Sequence, residues 1–150
     1  MRDRLAECAR DLGIAVQVQR LEASTRTVAD AATAMGCEEA EIAKSIVFVA
    51  DGDPVVCVAS GQHRVDTEKV ADALDVAEVR QATPQEVCAA TGFRVGGVPP
   101  LGHGLPVVLD EAILREETVW AAGGDGHSLF EVDPVRLVGC TGARVAHVSD

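Results

Sequence analysis

Lysine is almost missing from this chain: of 13 basic residues 11 are arginine, and only Lys44 and Lys69 carry an ammonium. A bias toward arginine explains the ratio by itself, but it draws attention to the two positions that escaped it. Long apolar runs are missing too. No window approaches the roughly 18 uninterrupted apolar residues of a membrane span, and the opening "MRDRLAECAR" lacks the apolar central segment of a secretory signal. No membrane partner is expected, and the expected compartment is the cytoplasm. Five cysteines (Cys8, Cys37, Cys57, Cys88, Cys140) form no C-x-x-C pair, and four histidines (His63, His103, His127, His147) form no H-x-x-x-H pair. Zinc sites and disulfide frameworks lack the spacing they need. Buried reduced thiols are expected, with no metal and no cofactor. No G-x-S-x-G elbow announces a serine nucleophile.

No repeat, low-complexity tract or Pro/Ser-rich linker divides the 150 residues, so residues 1–150 read as a single domain. A domain of this length buries about 70% of its unfolded surface, enough for one real core. The 47% hydrophobic and 25% charged content reads as soluble and globular. A formal net charge of −11 argues against binding long DNA, which requires many phosphates to be neutralised by Lys and Arg. A local basic patch remains compatible with that total.

The pattern alternates helices and strands. "RDRLAECARDLG" has helical apolar spacing with Gly13 as its stop, and "IAVQVQ" alternates as a short strand. In "TVADAATAMG", Thr27 caps a helix that Gly36 ends. "CEEAEIAK" reads as a brief helical segment delivering the chain to "SIVFVA". That run and "VVCVAS" flank "DGDP" and predict a hairpin, and being apolar on both faces its strands belong at the centre of a sheet. "VDTEKVADAL" is helical, "VAEVRQA" a strand, and "TPQEVCAATG" a helix with Thr83 as cap, Pro84 first, Glu86 completing a capping box and Gly92 closing. "VVLD", "TVWAA", "HSLFEV" and "ARVAHV" read as further strands, with "DPVRLVG" a short helix. Hairpins and crossovers together predict an α/β fold with a mixed, curved, partly barrel-like sheet flanked by helices.

Residues 93–106, "FRVGGVPPLGHGLP", hold four glycines and three prolines, so no regular element runs through them. Yet they are apolar where surface loops are polar, which marks a shaped loop. It is either a tight helix-to-strand turn or a place where Gly96 and Gly97 let a ligand approach the backbone, while Pro99 and Pro100 stiffen the arch. Lys44 has two readings as well. Its ammonium can satisfy carbonyls at a helix C-terminus, or, desolvated at the lip of a buried strand, it can hold a phosphate or carbonyl or act as a base or Schiff-base former. His127, after the "GGDG" turn, is either an ordinary strand histidine or a group reaching a site at the sheet edge.

Four stretches in order, "EIAKSIVF", "SGQHRVDTEKVADAL", "TGFRVGGVPPLGHGLPVVLD" and "AAGGDGHSLFEVDPVRLVGCTGARVAHV", resemble the motifs of the YbaK/EbsC family, relatives of the editing domain inserted in bacterial prolyl-tRNA synthetases. The resemblance runs from about residue 14 to the C-terminus. It implies a trans-editing aminoacyl-tRNA deacylase that hydrolyses the ester of a mischarged tRNA, typically a small wrong amino acid on proline tRNA. By position, the family's central lysine falls on Lys44. Its glycine-rich substrate loop falls on Gly96, Gly97, Val98, Pro99, Pro100, Leu101 and Gly102, and its G-x-x-x-H element on Gly123 and His127. Pro99 stands where many relatives have serine, which removes a hydroxyl beside the loop. On this reading Lys44 holds the terminal adenosine's phosphate or ribose, and amides near Gly97 and Val98 polarise the ester carbonyl. Thr27, Arg64 and His127 line the pocket. Water attacks with help from the substrate's own ribose hydroxyl, so no protein nucleophile is needed. The partner is the acceptor end of an aminoacyl-tRNA, gripped by a basic rim of Arg26, Arg64 and Arg94, with prolyl-tRNA synthetase supplying part of the discrimination of the tRNA body.

Two rival readings share these residues. A non-catalytic module binding aminoacyl-adenosine or another nucleotide as a regulator would use the same lysine and loop. A Schiff-base enzyme would use Lys44 on a carbonyl compound, but no acid/base partner stands beside the motif.

Overall fold

The computed structural model describes residues 19–21, 24, 25 and 27–150. The helix expected over residues 2–13, most of the strand "IAVQVQ", Cys8 and Arg26 lie outside the described residues.

The chain runs β1 (Gln19–Arg20), α1 (Val28–Met35), β2 (Ile42–Ala50), β3 (Asp53–Ser60), α2 (Thr67–Leu74), β4 (Val79–Gln81), α3 (Pro84–Thr91), β5 (Val107–Asp110), β6 (Val119–Ala122), β7 (Ser128–Val132), α4 (Pro134–Thr141) and β8 (Arg144–Ala146), with 3-10 turns at Glu39–Glu41 and Glu111–Arg115. Local chemistry sets the helix ends as expected. Thr27 Oγ1 accepts from Asp30 N at the start of α1, and Gly36 closes it. Thr83 and Glu86 form both halves of the capping box of α3, with Gly92 after it.

The eight strands form one mixed sheet in the order β1-β7-β6-β2-β3-β5-β8, with β4 pairing β2 off this path. The β2–β3 hairpin is central, as two strands apolar on both faces require. It turns on two residues only, Asp51 and Gly52, both at positive φ (47° and 88°), the geometry that matches strand twist in tight hairpins. Aspartate tolerates this region and glycine meets no Cβ penalty there. The expected turn "DGDP" is thus shorter than its four residues, because Asp53 and Pro54 already pair with Ala50 and Val49.

Strand alternation distributes the core between two faces. Ala43 and Val47 of β2 pack with Val56, Val58, Val87, Phe93, Val98, Leu101 and Leu137, so α3, α4 and the loop at 93–106 cover that face. Phe48 and Ala50 pack with Val55, Cys57, Val70 and Val148 under α2, while Ile42 packs with Ala31, Ala32 and Leu129 under α1. Each Val, Leu, Ile and Phe among them contributes about 1.5–3 kcal/mol when fully buried.

Two expectations are corrected. "CEEAEIAK" is not helical to its end: the 3-10 turn stops at Glu41 and Lys44 is the third residue of β2. Pairing with β3 reaches back to Ala43↔Ser60 and wins over the weak helical pattern. The lysine therefore caps no helix. The thiols are not uniformly buried either. Of the four described cysteines, Cys88 is exposed and only Cys57 is fully buried, because α3 turns Val87 and Thr91 inward.

Candidate active site in a gap of the sheet

One edge of β2 is paired along its length with β3. The other edge is shared by two strands that do not meet. β6 runs parallel at Ile42↔Trp120 and Ala43↔Ala121, and β4 runs antiparallel at Phe48↔Gln81, Val49↔Arg80 and Ala50↔Val79. Ala82 N adds a bond to the Val47 carbonyl at 3.0 Å. On this edge residues 44–46 therefore have no strand beside them among the described residues. Val47 points its carbonyl to this edge, so Ser45, two residues earlier, presents its N–H and C=O the same way. A cavity of about 220 Å³ fills the gap.

Its wall is built from four segments: Thr25, Thr27, Val28 and Ala31 at the start of α1; residues 42–47 of β2; Gln81, Ala82 and Val87 around α3; and Val95, Gly96 and Val98 from the loop, with Ala122 and Leu129 closing it. The loop is the shaped element its sequence predicts. Residues 97–101 and His103 are buried, Val98 and Leu101 lie in the main core cluster, and His103 Nδ1 accepts from Leu105 N at 3.0 Å.

Lys44 is the cavity wall's charged residue. Alternation places its side chain on the face of Ile42 and Ile46, and its ammonium donates to the His63 carbonyl beyond β3. Burial holds its pKa below the ordinary 10.5. Nearby Cys57, Asp150 and Glu39 oppose that shift, while Arg64 adds to it. Burial, with the Asp110 charge, pushes the Cys57 thiol up to about 12 although Lys44 pulls the other way.

The "GGDGH" turn is braced by one carboxylate: Asp125 Oδ1 accepts from His127 N at 2.8 Å and Oδ2 from Ser128 Oγ at 3.0 Å. The turn then positions the segment before α1, since Thr25 N donates to Gly126 O and Leu21 N to His127 O, both at 2.7 Å. It also touches the loop at 93–106. A Cβ on Gly97 would stand 2.9 Å from Asp125 Cα, so only glycine lets these two backbones pack together.

Of the residues singled out from sequence, Lys44, Thr27, Gly96 and Val98 meet in the cavity wall. Gly97, Pro99 and Pro100 are buried behind it, and Gly102, Gly123, His127 and Arg64 lie outside the wall. Thr27 lines it with a hydroxyl already used as a helix cap. The Gly97 amide requires a correction: it donates to the Arg94 carbonyl at 2.9 Å and is spent in a turn. The Val98 amide has no hydrogen bond among the described residues. Sequence reading missed Thr25, Ser45 and Asp125. The "D-G" of the turn signals Asp125, but Thr25 and Ser45 carry no local signal because long-range pairing creates the gap they line.

Among the described residues, no cluster of three His, Cys, Asp or Glu could hold a metal, and no helix is long and apolar enough to cross a membrane. A family model for the aminoacyl-tRNA editing domain matches residues 22–140. The uncharacterized protein YwhH of Bacillus subtilis (strain 168) is 37% identical over 123 residues, covering 80% of this chain and 78% of that protein. A proline--tRNA ligase of Solidesulfovibrio magneticus is 37% identical over 110 residues, 71% of this chain but only 19% of the ligase. A solved structure of a candidate trans-editing enzyme for prolyl tRNA synthetase superposes with a TM-score of 0.91 at 41% identity, over 99% of this chain and 96% of that one. With the family model matching most of its length and its fold superposing throughout, the chain belongs to the YbaK-like aminoacyl-tRNA editing domain family, related to the editing domains of prolyl-tRNA synthetases.

Proposed function

We propose that this chain is a trans-editing deacylase that hydrolyses the ester of a mischarged tRNA, with a small non-cognate amino acid on proline tRNA as substrate. The observation that carries this reading is the small, mostly apolar cavity in the sheet gap, with one half-buried cation on its β2 wall and a stiff loop opposite. The cavity suits an aminoacyl group and the cation suits the adenosine end that bears it. Lys44 exchanges its contact with the His63 carbonyl for the ribose or phosphate of the terminal adenosine, which fixes the ester against residues 96–98. The Val98 amide polarises the ester carbonyl as charge develops on its oxygen. Water adds to that carbon, the C–O bond to the ribose breaks, and the ribose oxygen takes a proton. The products are the free amino acid and an uncharged tRNA. With assistance from the substrate's neighbouring ribose hydroxyl, the reaction needs no protein nucleophile. Gripping only the single-stranded acceptor end also reconciles the activity with a net charge of −11.

The test is release of amino acid from proline tRNA charged separately with Ala, Cys, Ser, Thr and Pro. Clearance of one or two wrong esters with Pro spared is expected. Decay of every ester at the uncatalysed rate would overturn the proposal in favour of a module that binds without turnover.

A further inference from the structure

The cavity wall carries polarity that holding the adenosine does not use. Five of its side chains are polar. The Thr27 hydroxyl caps α1, the Lys44 ammonium meets the His63 carbonyl, and Gln81 is exposed. Thr25 and Ser45 differ from these. Both hydroxyl oxygens are shielded from solvent and lack a hydrogen-bond partner among the described residues, and Thr25 as a whole is only 4% exposed. Native interiors satisfy nearly all such groups, so each exception calls for a reason. Their neighbours in the wall, Val28, Ala31, Ile42, Ala43, Val47 and Leu129, have no side-chain group that could answer them. The backbone adds a third group, because Ser45 turns its own N–H and C=O into the same gap between β6 and β4.

We infer that Thr25 and Ser45 form a hydroxyl-reading subsite, and that the amino acid removed is one with a hydroxyl side chain, serine or threonine, in preference to alanine. This rests on the deacylase reading above. A side-chain hydroxyl donates one hydrogen bond and accepts others, as do those of Thr25 and Ser45, so a substrate hydroxyl can bridge the two. Turning χ1 exchanges the Thr25 hydroxyl and methyl positions without moving the backbone. The substrate's α-ammonium finds the Ser45 carbonyl at the uncovered strand edge. Alanine is small enough to enter but leaves both hydroxyls unanswered, and proline brings no donor from its side chain. A site built to bond a hydroxyl discriminates against the analogue without one far better than an apolar pocket discriminates by size.

The experiment compares dissociation constants of the seryl and alanyl amides of 3′-amino-3′-deoxyadenosine, whose amide link resists hydrolysis, for the intact protein and for Thr25→Val, Thr25→Ser and Ser45→Ala. The seryl amide is expected to bind at least about tenfold tighter. Thr25→Val and Ser45→Ala reduce that preference toward unity, and Thr25→Ser retains it. Equal affinities in the intact protein, or a preference that survives Thr25→Val, overturn the inference. Hydrolysis of seryl and alanyl proline tRNA, measured in parallel, separates the two readings. A seryl preference in binding with no turnover of either ester keeps the subsite and sinks the deacylase. Faster turnover of the alanyl ester with equal amide affinities keeps the deacylase and sinks the subsite.

Discussion

At the scale of single residues, the cost of burial separates side chains that work from side chains that pack. Lys44 is held half-buried with its proton affinity lowered by desolvation, so the fold carries a small penalty for this charge at neutral pH. The folded pKa lies below the unfolded one. The unfolded chain therefore binds more protons between the two values, and stability rises with pH across that window. Lys44→Met is expected to leave the Tm unchanged or slightly raised at pH 7 while abolishing deacylation. The pH profile of kcat/KM should fall on its alkaline side before pH 10.5, the ordinary lysine value, and a fall only above it would separate Lys44 from the activity. Cys57 gives a second reading of the same interior. With its thiol pushed up to about 12 and fully buried, it should resist alkylation at pH 8 in the native state, whereas exposed Cys88 reacts. Mass spectrometry of the labelled peptides distinguishes them. Lys44 and the Gly96–Gly97 pair were legible in the sequence because an ammonium before an apolar run and paired glycines in an apolar loop are local anomalies. Thr25 and Ser45 were not, since hydroxyls are common everywhere and theirs gain meaning only from missing partners.

At the scale of elements, boundaries written in cap chemistry were the most legible. Thr83, Pro84, Glu86 and Gly92 placed α3 to the residue, because each satisfies or removes an orphan backbone group at a helix end. The Lys44 segment went the other way: its short helical spacing lost to strand pairing between residues 43 and 60, which no local pattern announces. The α3 cap also has a pH signature. Glu86 accepts from Arg80 Nη1 and Nη2 at 2.7 and 2.8 Å and from Thr83 N at 2.9 Å, which lowers its pKa from 4.5 to about 2. Its contribution is complete above pH 4.5 and disappears as the pH falls to about 2. Glu86→Gln should therefore flatten the acid side of the stability curve between those values while leaving its shape at neutral pH unchanged. Thr83→Ala should cost about 1 kcal/mol in urea unfolding at pH 7, and no change in midpoint would contradict the capping assignment. Because α3 carries Val87 into the cavity wall, the same variant should also weaken binding of aminoacyl-adenosine analogues modestly.

For the whole molecule, the hairpin pattern predicted the central strands and the mixed sheet, but not that β4 and β6 would leave the middle of one edge uncovered. That gap is a topological consequence of two short strands approaching β2 from opposite ends, and it is where the candidate site lies. Net charge tells a compatible story. An acidic molecule with few basic groups near the cavity, Arg64 and Arg94 among the exposed ones, should meet few phosphates. The logarithm of tRNA affinity should then fall with the logarithm of salt concentration at a shallow slope of about one to three contacts, and Arg94→Ala should reduce it by about one. A slope of zero would remove the basic rim from the account.

The measurement that tests the central claim most directly is single-turnover hydrolysis of seryl proline tRNA by the intact protein and by Lys44→Ala, with both proteins shown to melt at the same temperature. The account predicts rapid release of serine by the intact protein and decay at the uncatalysed rate with the variant. Equal rates with the two folded proteins would contradict it, since the cation in the sheet gap would then have no part in the reaction.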